Sequence, residues 1–193
     1  MALTLITPPS ALPVSLEEAK KHLGYEADDR DDQITTYLKA AVQWIDGPTG
    51  WLGRMLAPQV WRWTFDTFPS GDLEIPFGPV ISVDEIAYDD AEGTAQVIDE
   101  ADYSTDLTGD PAWIVSQDGW PTTYTGVNAV RIDYTAGYAD LSESPFISGV
   151  PDPIRAGILL QTEILFTRPE GPKLAALERS RNDLLDTYRR WRL

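Results

Sequence analysis

The chain has 193 residues, 42% of them hydrophobic, with seven Trp, eight Tyr and five Phe, enough apolar material for a folded core rather than a disordered polymer. It contains no cysteine, which rules out disulfides and thiolate-bound zinc or iron–sulfur centres. The net charge of −16 is unevenly spread: residues 151–193 carry eight basic and six acidic side chains, while the first 150 carry seven basic and 25 acidic, a body that repels a phosphate backbone.

In chain order, the N-terminus (Met1-Ala2-Leu3-Thr4-Leu5-Ile6-Thr7-Pro8-Pro9) reads as an apolar extended arm. It lacks the basic n-region of a signal peptide, and no stretch of the chain approaches the roughly 18 apolar residues of a membrane span. The expectation is a cytosolic product. Ser15-Leu16-Glu17-Glu18 matches a capping box that starts a short helix closed by Gly24. After the polar run Asp28 to Asp32, the residues Ile34, Tyr37, Leu38, Ala41, Val42 and Ile45 form a helical stripe that ends at Gly47-Pro48. Read as a calcium loop from Asp28, the acidic run fails: Arg30 stands at position three, Gln33 where the turn glycine belongs and Lys39 where the bidentate glutamate belongs. Acids complementing the helix dipole explain it better.

From Pro58 the apolar period drops to two. Trp61, Trp63 and Phe65 share one face and Arg62, Thr64 and Asp66 the other, as expected for a strand with a core or subunit interface on its aromatic side. Leu73 to Phe77 repeats the alternation. Val80 to Tyr88 and Ala95 to Ile98 flank a hairpin at Asp89 to Gly93. Ala112 to Ser116 and Ala129 to Tyr134 are further strands. The spacing predicts an antiparallel sheet or small barrel inserted between helices. After a loop over 139–149, Asp152 as N-cap and Pro153 at the first helical position start a helix with Ile154, Ile158, Leu159, Leu165 and Phe166 facing the core. Thr167 to Pro172 breaks it. Leu174, Leu177, Arg181, Leu184, Leu185, Tyr188 and Trp191 then form an amphipathic tail with basic residues gathered at its end.

The fold class expected is α+β, a helical bundle with an antiparallel β insertion. The segments are an N-terminal arm and helices over 1–57, β insertion over 58–138, loop and core helix over 139–168, and tail helix over 169–193.

Catalytic chemistry has little to stand on. His22 is the single histidine, and the sequence carries no Gly-x-Ser-x-Gly elbow, P-loop or dinucleotide-binding glycine pattern. No catalytic, cofactor-binding or metal-ligating residue is assigned, and no enzyme activity or cofactor is expected. Trp61, Trp63, Trp113 and Trp120 admit a second reading, a carbohydrate- or surface-binding module of a tail or fibre, although aromatics at period two more often fill a core.

Several stretches, taken in order, resemble one family. Pro13-Val14-Ser15-Leu16-Glu17-Glu18-Ala19-Lys20-Lys21-His22-Leu23 is similar to the opening helix of head–tail connectors (adaptors) of long-tailed phages and phage-like gene transfer agents. Asp32, Ile34, Leu38, Ala40, Ala41 and Thr49-Gly50 follow suit, with Trp51-Leu52-Gly53 a small departure. Leu56 to Trp61, Gly78 to Val83, Asp89 to Gly93, Tyr134 to Tyr138 and Val150 to Ile154 complete the match over roughly residues 10–166. The resemblance implies a structural virion protein at the head–tail junction, assembled as a homo-oligomeric ring, usually of twelve copies, with a monomer in isolation as the alternative state. Its implied partners are the portal protein and the stopper or tail-completion proteins. DNA would pass through the ring's channel without specific binding, and no membrane is involved. It also implies a portal-docking C-terminal segment, here Leu184, Leu185, Tyr188, Arg189, Arg190, Trp191 and Arg192. An acidic channel wall would let DNA slide without adhering.

Overall fold

A computed structural model describes residues 2–139 and 149–190. The chain forms two compact units, one of residues 1–10 with 58–138 and one of residues 11–57 with 139–193.

Among the described residues the β unit contains eight strands: β1 (Ala2–Thr7), β2 (Gln59–Phe65), β3 (Leu73–Ile75), β4 (Val80–Asp89), β5 (Ala95–Val97), β6 (Tyr103–Asp106), β7 (Ala112–Ser116) and β8 (Val130–Ala136). Five of them form an antiparallel sheet in the order β1-β2-β8-β4-β5, and three form a second in the order β3-β7-β6. The sequence left open a small barrel; among the described residues the strands make two open sheets. The expected N-terminal arm is also a strand, since Ala2 to Thr7 pairs antiparallel with β2.

The pleat separates the two faces of the larger sheet. Leu3, Trp63, Ile132 and Ile86 line up across β1, β2, β8 and β4, and Leu5, Trp61, Tyr134 and Val83 make the neighbouring row. Trp63, Ile132, Ile86 and Tyr134 are buried, and the Tyr134 hydroxyl donates to Pro76 O at 2.7 Å. The other face is ionic. Arg62 binds Asp133 bidentately, Nε and Nη2 each at 2.7 Å, directly across the β2–β8 pair. Arg131 does the same with Asp89 at 2.7 and 3.1 Å. The Arg131 guanidinium holds the Asp89 carboxyl below its usual range against the opposing effect of desolvation. One apolar and one charged face fix the register, because a one-residue slip would exchange them.

The helical unit contains α1 (Leu16–Leu23), α2 (Asp31–Ile45), α3 (Asp152–Thr167) and α4 (Gly171–Asp186). Helix α3 touches all three others. Ile34, Leu38, Ala41, Val42 and Ile45 of α2 and Ile154 and Ile158 of α3 are buried, while Leu159, Leu165 and Phe166 are half-buried. Phe166 meets Tyr25 and Tyr37 edge-on. Asp152, expected as the N-cap, is the first helical residue; Pro151 holds the cap position, and its carbonyl accepts from Ile154 N at 2.9 Å. No helix among the described residues is long and apolar enough to cross a membrane.

The capping box of α1 is complete. Ser15 Oγ accepts from Glu18 N at 3.2 Å, and Glu18 Oε2 accepts from Ser15 N at 2.9 Å. The Ser15 backbone N–H is the main influence holding the Glu18 carboxyl below its ordinary value; partial burial opposes it, and the Ser15 hydroxyl and Arg155 guanidinium reinforce it. A carboxylate held low contributes stability that is present above its unfolded pKa and lost as pH falls through the folded one. Ser15→Ala is expected to cost about 1 kcal/mol. Wild type should outlast Glu18→Ala in urea at pH 7, with the gap closing on acidification through the carboxylate range. A gap unchanged down to pH 2–3 would show that the charge is not what matters.

Candidate docking site

The end of α2 and the end of α4 build one cluster within the helical unit. Helix α2 stops at Ile45, and the chain folds back in a tight loop with Gly47 at φ 83°. Trp51 N donates to Trp44 O at 2.8 Å, Leu52 N to Ile45 O at 3.2 Å, and Leu56 N to the Asp46 carboxylate at 2.6 Å. A Cβ on Gly50 would stand 2.2 Å from Asp46 O, so the loop closes around a residue without a side chain. Leu52, Met55 and Leu56 are fully buried beneath it.

This return stacks Trp51 on Trp44, with ring centroids 5.1 Å apart and planes 22° from parallel. An arginine lies over each member of the pair: Arg181 is 4.4 Å from the Trp44 ring centroid and Arg189 is 4.2 Å from that of Trp51. Cations over indole faces are attracted by the ring quadrupole, more strongly when desolvated. Arg181 is only 7% exposed, and burial pushes its pKa down. Neutral groups satisfy it: Gln161 Oε1 accepts from Nη1, and Asn182 Oδ1 accepts from Nε and Nη2 at 3.1 and 2.9 Å. Two hydrogen bonds complete the attachment, one from the Arg54 side chain (Nε) to Tyr188 O at 2.5 Å and one between main chains, Arg190 N to Leu52 O at 2.9 Å.

The expected docking residues therefore occupy different environments. Leu185 is fully buried, and a Cβ on Gly157 of α3 would stand 2.7 Å from its Cδ2. Leu184, Tyr188, Arg189 and Arg190 are half-buried, and both arginines border a shallow recess with Pro48, Thr49, Gly50, Trp51 and Gly53. Trp191 and Arg192 lie outside the described residues. In the β unit Trp63 and Phe65 are buried edge-to-face at 4.1 Å, and Trp61 is half-buried. The four tryptophans of the sugar-platform reading are divided. Trp61 and Trp63 stand on β2, Trp113 on β7, and loop residue Trp120 stacks on Phe68 and donates to Gly71 O at 2.9 Å. Trp44, Arg54 and Gly157 were not singled out from the sequence. Trp51 was noted only as a departure from the family pattern. Arg181, an arginine within an apolar stripe, was the available signal.

The groups considered for chemistry have structural partners. His22 Nε2 lies 3.2 Å from Glu163 Oε2. The acidic run before α2 is bridged by Lys20, whose Nζ lies 2.5 Å from Asp28 Oδ1 and 2.7 Å from Asp31 Oδ1.

Comparison with known proteins gives a consistent result. Residues 13–109 match the model of the family described as phage gp6-like head–tail connector protein. No curated protein matches the chain. Among solved structures, the fold is shared with chains of three gene transfer agent (GTA) particle assemblies. For the neck of the empty particle computed with C6 symmetry, the TM-score is 0.74 at 20% identity. For the virion of the native particle it is 0.75 at 22%, and for the native neck computed with C12 symmetry 0.73 at 24%. Each alignment covers 100% of this chain and 97% of the other.

Proposed function

Since the chain belongs to the phage gp6-like head–tail connector family, we propose that it is a structural ring subunit at the head–tail junction of a phage or gene transfer agent particle, not an enzyme. In this role it joins the portal to the stopper and tail proteins and continues the DNA channel. The observation that carries the reading is the family match over residues 13–109, supported by a fold shared along the chain with chains of symmetric particle necks. The strong negative charge fits a conduit for DNA, since carboxylates and phosphates repel. The basic, half-buried end at Tyr188, Arg189 and Arg190, continuing into Trp191 and Arg192, is the segment assigned to the portal. Leu184 lies beside it, while Leu185 serves as its root in the core. Arginine suits such a contact because its planar fork pairs bidentately with carboxylates.

The test is native mass spectrometry of the chain, alone and mixed with the portal protein of the same particle. A complex of ring stoichiometry that forms with portal is the expected result. Arg190→Glu combined with Arg192→Glu should abolish it while leaving the circular dichroism spectrum unchanged. A small oligomer indifferent to portal would overturn the connector reading; full assembly by the charge-reversed chain would overturn the tail assignment alone.

A further inference from the structure

The two outer strands of the larger sheet guard their edges only lightly. A free edge presents a row of unpaired N–H and C=O groups, and soluble proteins guard it with charges, proline, a bulge, a covering element or a very short edge strand; here β5 has three residues and β1 shifts register between Leu5 and Thr7. Here the charges sit on the inner strands: Arg62 on β2, Arg131 and Asp133 on β8, Asp84, Glu85 and Asp89 on β4. The outer strands β1 (Ala-Leu-Thr-Leu-Ile-Thr) and β5 (Ala-Gln-Val) carry none. Both instead expose large apolar side chains, Leu5 at 40%, Ile6 at 46% and Val97 at 62%. In a chain of net charge −16, contacts between copies are penalised wherever acidic surfaces meet. These two strands carry no acidic side chain of their own, so that penalty is smallest there, with Asp90 held by Gln96 Nε2 at 2.9 Å beside β5.

Strand direction says how they can meet. Each neighbour in β1-β2-β8-β4-β5 is antiparallel to the next. Five strands so arranged leave β1 and β5 running the same way. A ring is built from a head-to-tail contact between two different surfaces, whereas an edge meeting itself requires a two-fold axis and closes as a dimer. Turning by one small step of a many-membered ring leaves strand directions nearly unchanged. It therefore brings β5 of one copy beside β1 of the next as a parallel pair, a ladder that forms regular hydrogen bonds.

We propose that the sheet continues from copy to copy, with Ala95–Val97 of one chain hydrogen-bonded to Thr4–Ile6 of the next, so that the occupant of each free edge is a second copy of this chain. The inference rests on the ring reading above and adds the interface that closes the ring. With three residues on one side, each link is weak, and closure makes the links support one another through effective concentration.

The natural chain has no cysteine, so thiols report only where they are introduced. Full-length chain carrying both Ile6→Cys and Val97→Cys, assembled with portal and treated with a short bismaleimide linker, should give a covalent ladder running beyond dimers on denaturing gels. Each single variant should remain monomeric, and an equimolar mixture of the two should stop at dimers. Rings of full mass without a ladder would overturn the edge pairing and leave the connector reading standing. Dimers from Ile6→Cys alone would show β1 meeting itself and would also overturn it. Failure to form any ring complex would sink the connector reading and this inference with it. Val97→Glu, at an exposed position that the fold does not need, provides a second readout: reduced ring yield with an unchanged melting curve. Undiminished yield would count against the proposal.

Discussion

A chain cut after Arg168 is expected to lose the helical unit's cooperative unfolding rather than behave as a folded protein lacking a tail. Helix α4 supplies Leu185 and Arg181 to the interior, both buried. Leu185 fills the space that Gly157 leaves open on α3. Glycine in the middle of a helix costs about 1 kcal/mol relative to alanine, and the close approach of α4 gives a physical reason for it at that position. Leu185→Ala alone should lower stability by about 2–5 kcal/mol, the range for a fully buried leucine. The truncation also removes the Arg181 partner of Gln161, a second buried polar group. Urea unfolding followed at 222 nm should show Leu185→Ala shifted to a lower midpoint with an unchanged slope, and the truncated chain without the helical unit's transition. A truncated chain that melts like the wild type would show that α4 is an appendage after all. Loss of assembly by such a truncation would therefore say nothing about portal docking, and substitutions at the terminal arginines are the cleaner probe.

Trp51→Ala should have the next largest effect. It removes the indole stacked on Trp44 and the ring beneath Arg189 in one step. Complete burial of a tryptophan is worth about 3–5 kcal/mol on truncation to alanine. Trp51 is half-buried, so a loss of about 2–3 kcal/mol is expected. Two indoles at this separation should couple optically, and the near-ultraviolet and 220–230 nm circular dichroism should lose a paired band. The Arg190 amide, bonded to Leu52 O, should exchange faster with solvent deuterium. Trp51→Phe, which keeps a stacking ring, should recover part of both signals. An unchanged Arg190 exchange rate in Trp51→Ala would mean that the Arg54 and Arg190 hydrogen bonds hold the segment without the rings.

Local signals in the sequence were reliable where one residue type does one physical job. The capping box at Ser15 and Glu18, the left-handed Gly24 and the hairpin between β4 and β5 stand where the residues put them. The period-two reading at Trp61, Trp63 and Phe65 foretold the face on which they lie. Two strands were not legible. Ala2 to Thr7 alternates poorly because both of its sides are exposed, and it is a strand only because β2 lies beside it. Tyr103 to Asp106 is a short, mostly exposed edge strand with no apolar face to read. The Trp44–Trp51 stack was invisible for another reason. It depends on a loop returning along its own helix, which Gly50 permits but no periodicity announces. For docking, composition at the C-terminus suggested one apolar stripe, whereas tertiary packing takes Leu185 inward and leaves Arg189 against an indole.

The order of the strands also has a consequence for how the chain matures. Strand β1 is made before the other described elements but has no partner until β2, with both α1 and α2 synthesised in between. Strand β2 in turn waits for β8, whose pairing runs from Gln59 with Ala136 to Phe65 with Val130. Helix α2 meets α3 later still, and α3 is not covered until α4 is complete. Pairings this distant in sequence bear the loop-closure cost before any contact repays it, and they slow folding. Both hydrophobic cores therefore close only once β8 and α4 have been made, and a nascent chain carries the uncharged strand β1 unpaired for about fifty residues of elongation. Chaperone dependence and a low yield at high expression rates would be the cellular trace of that wait.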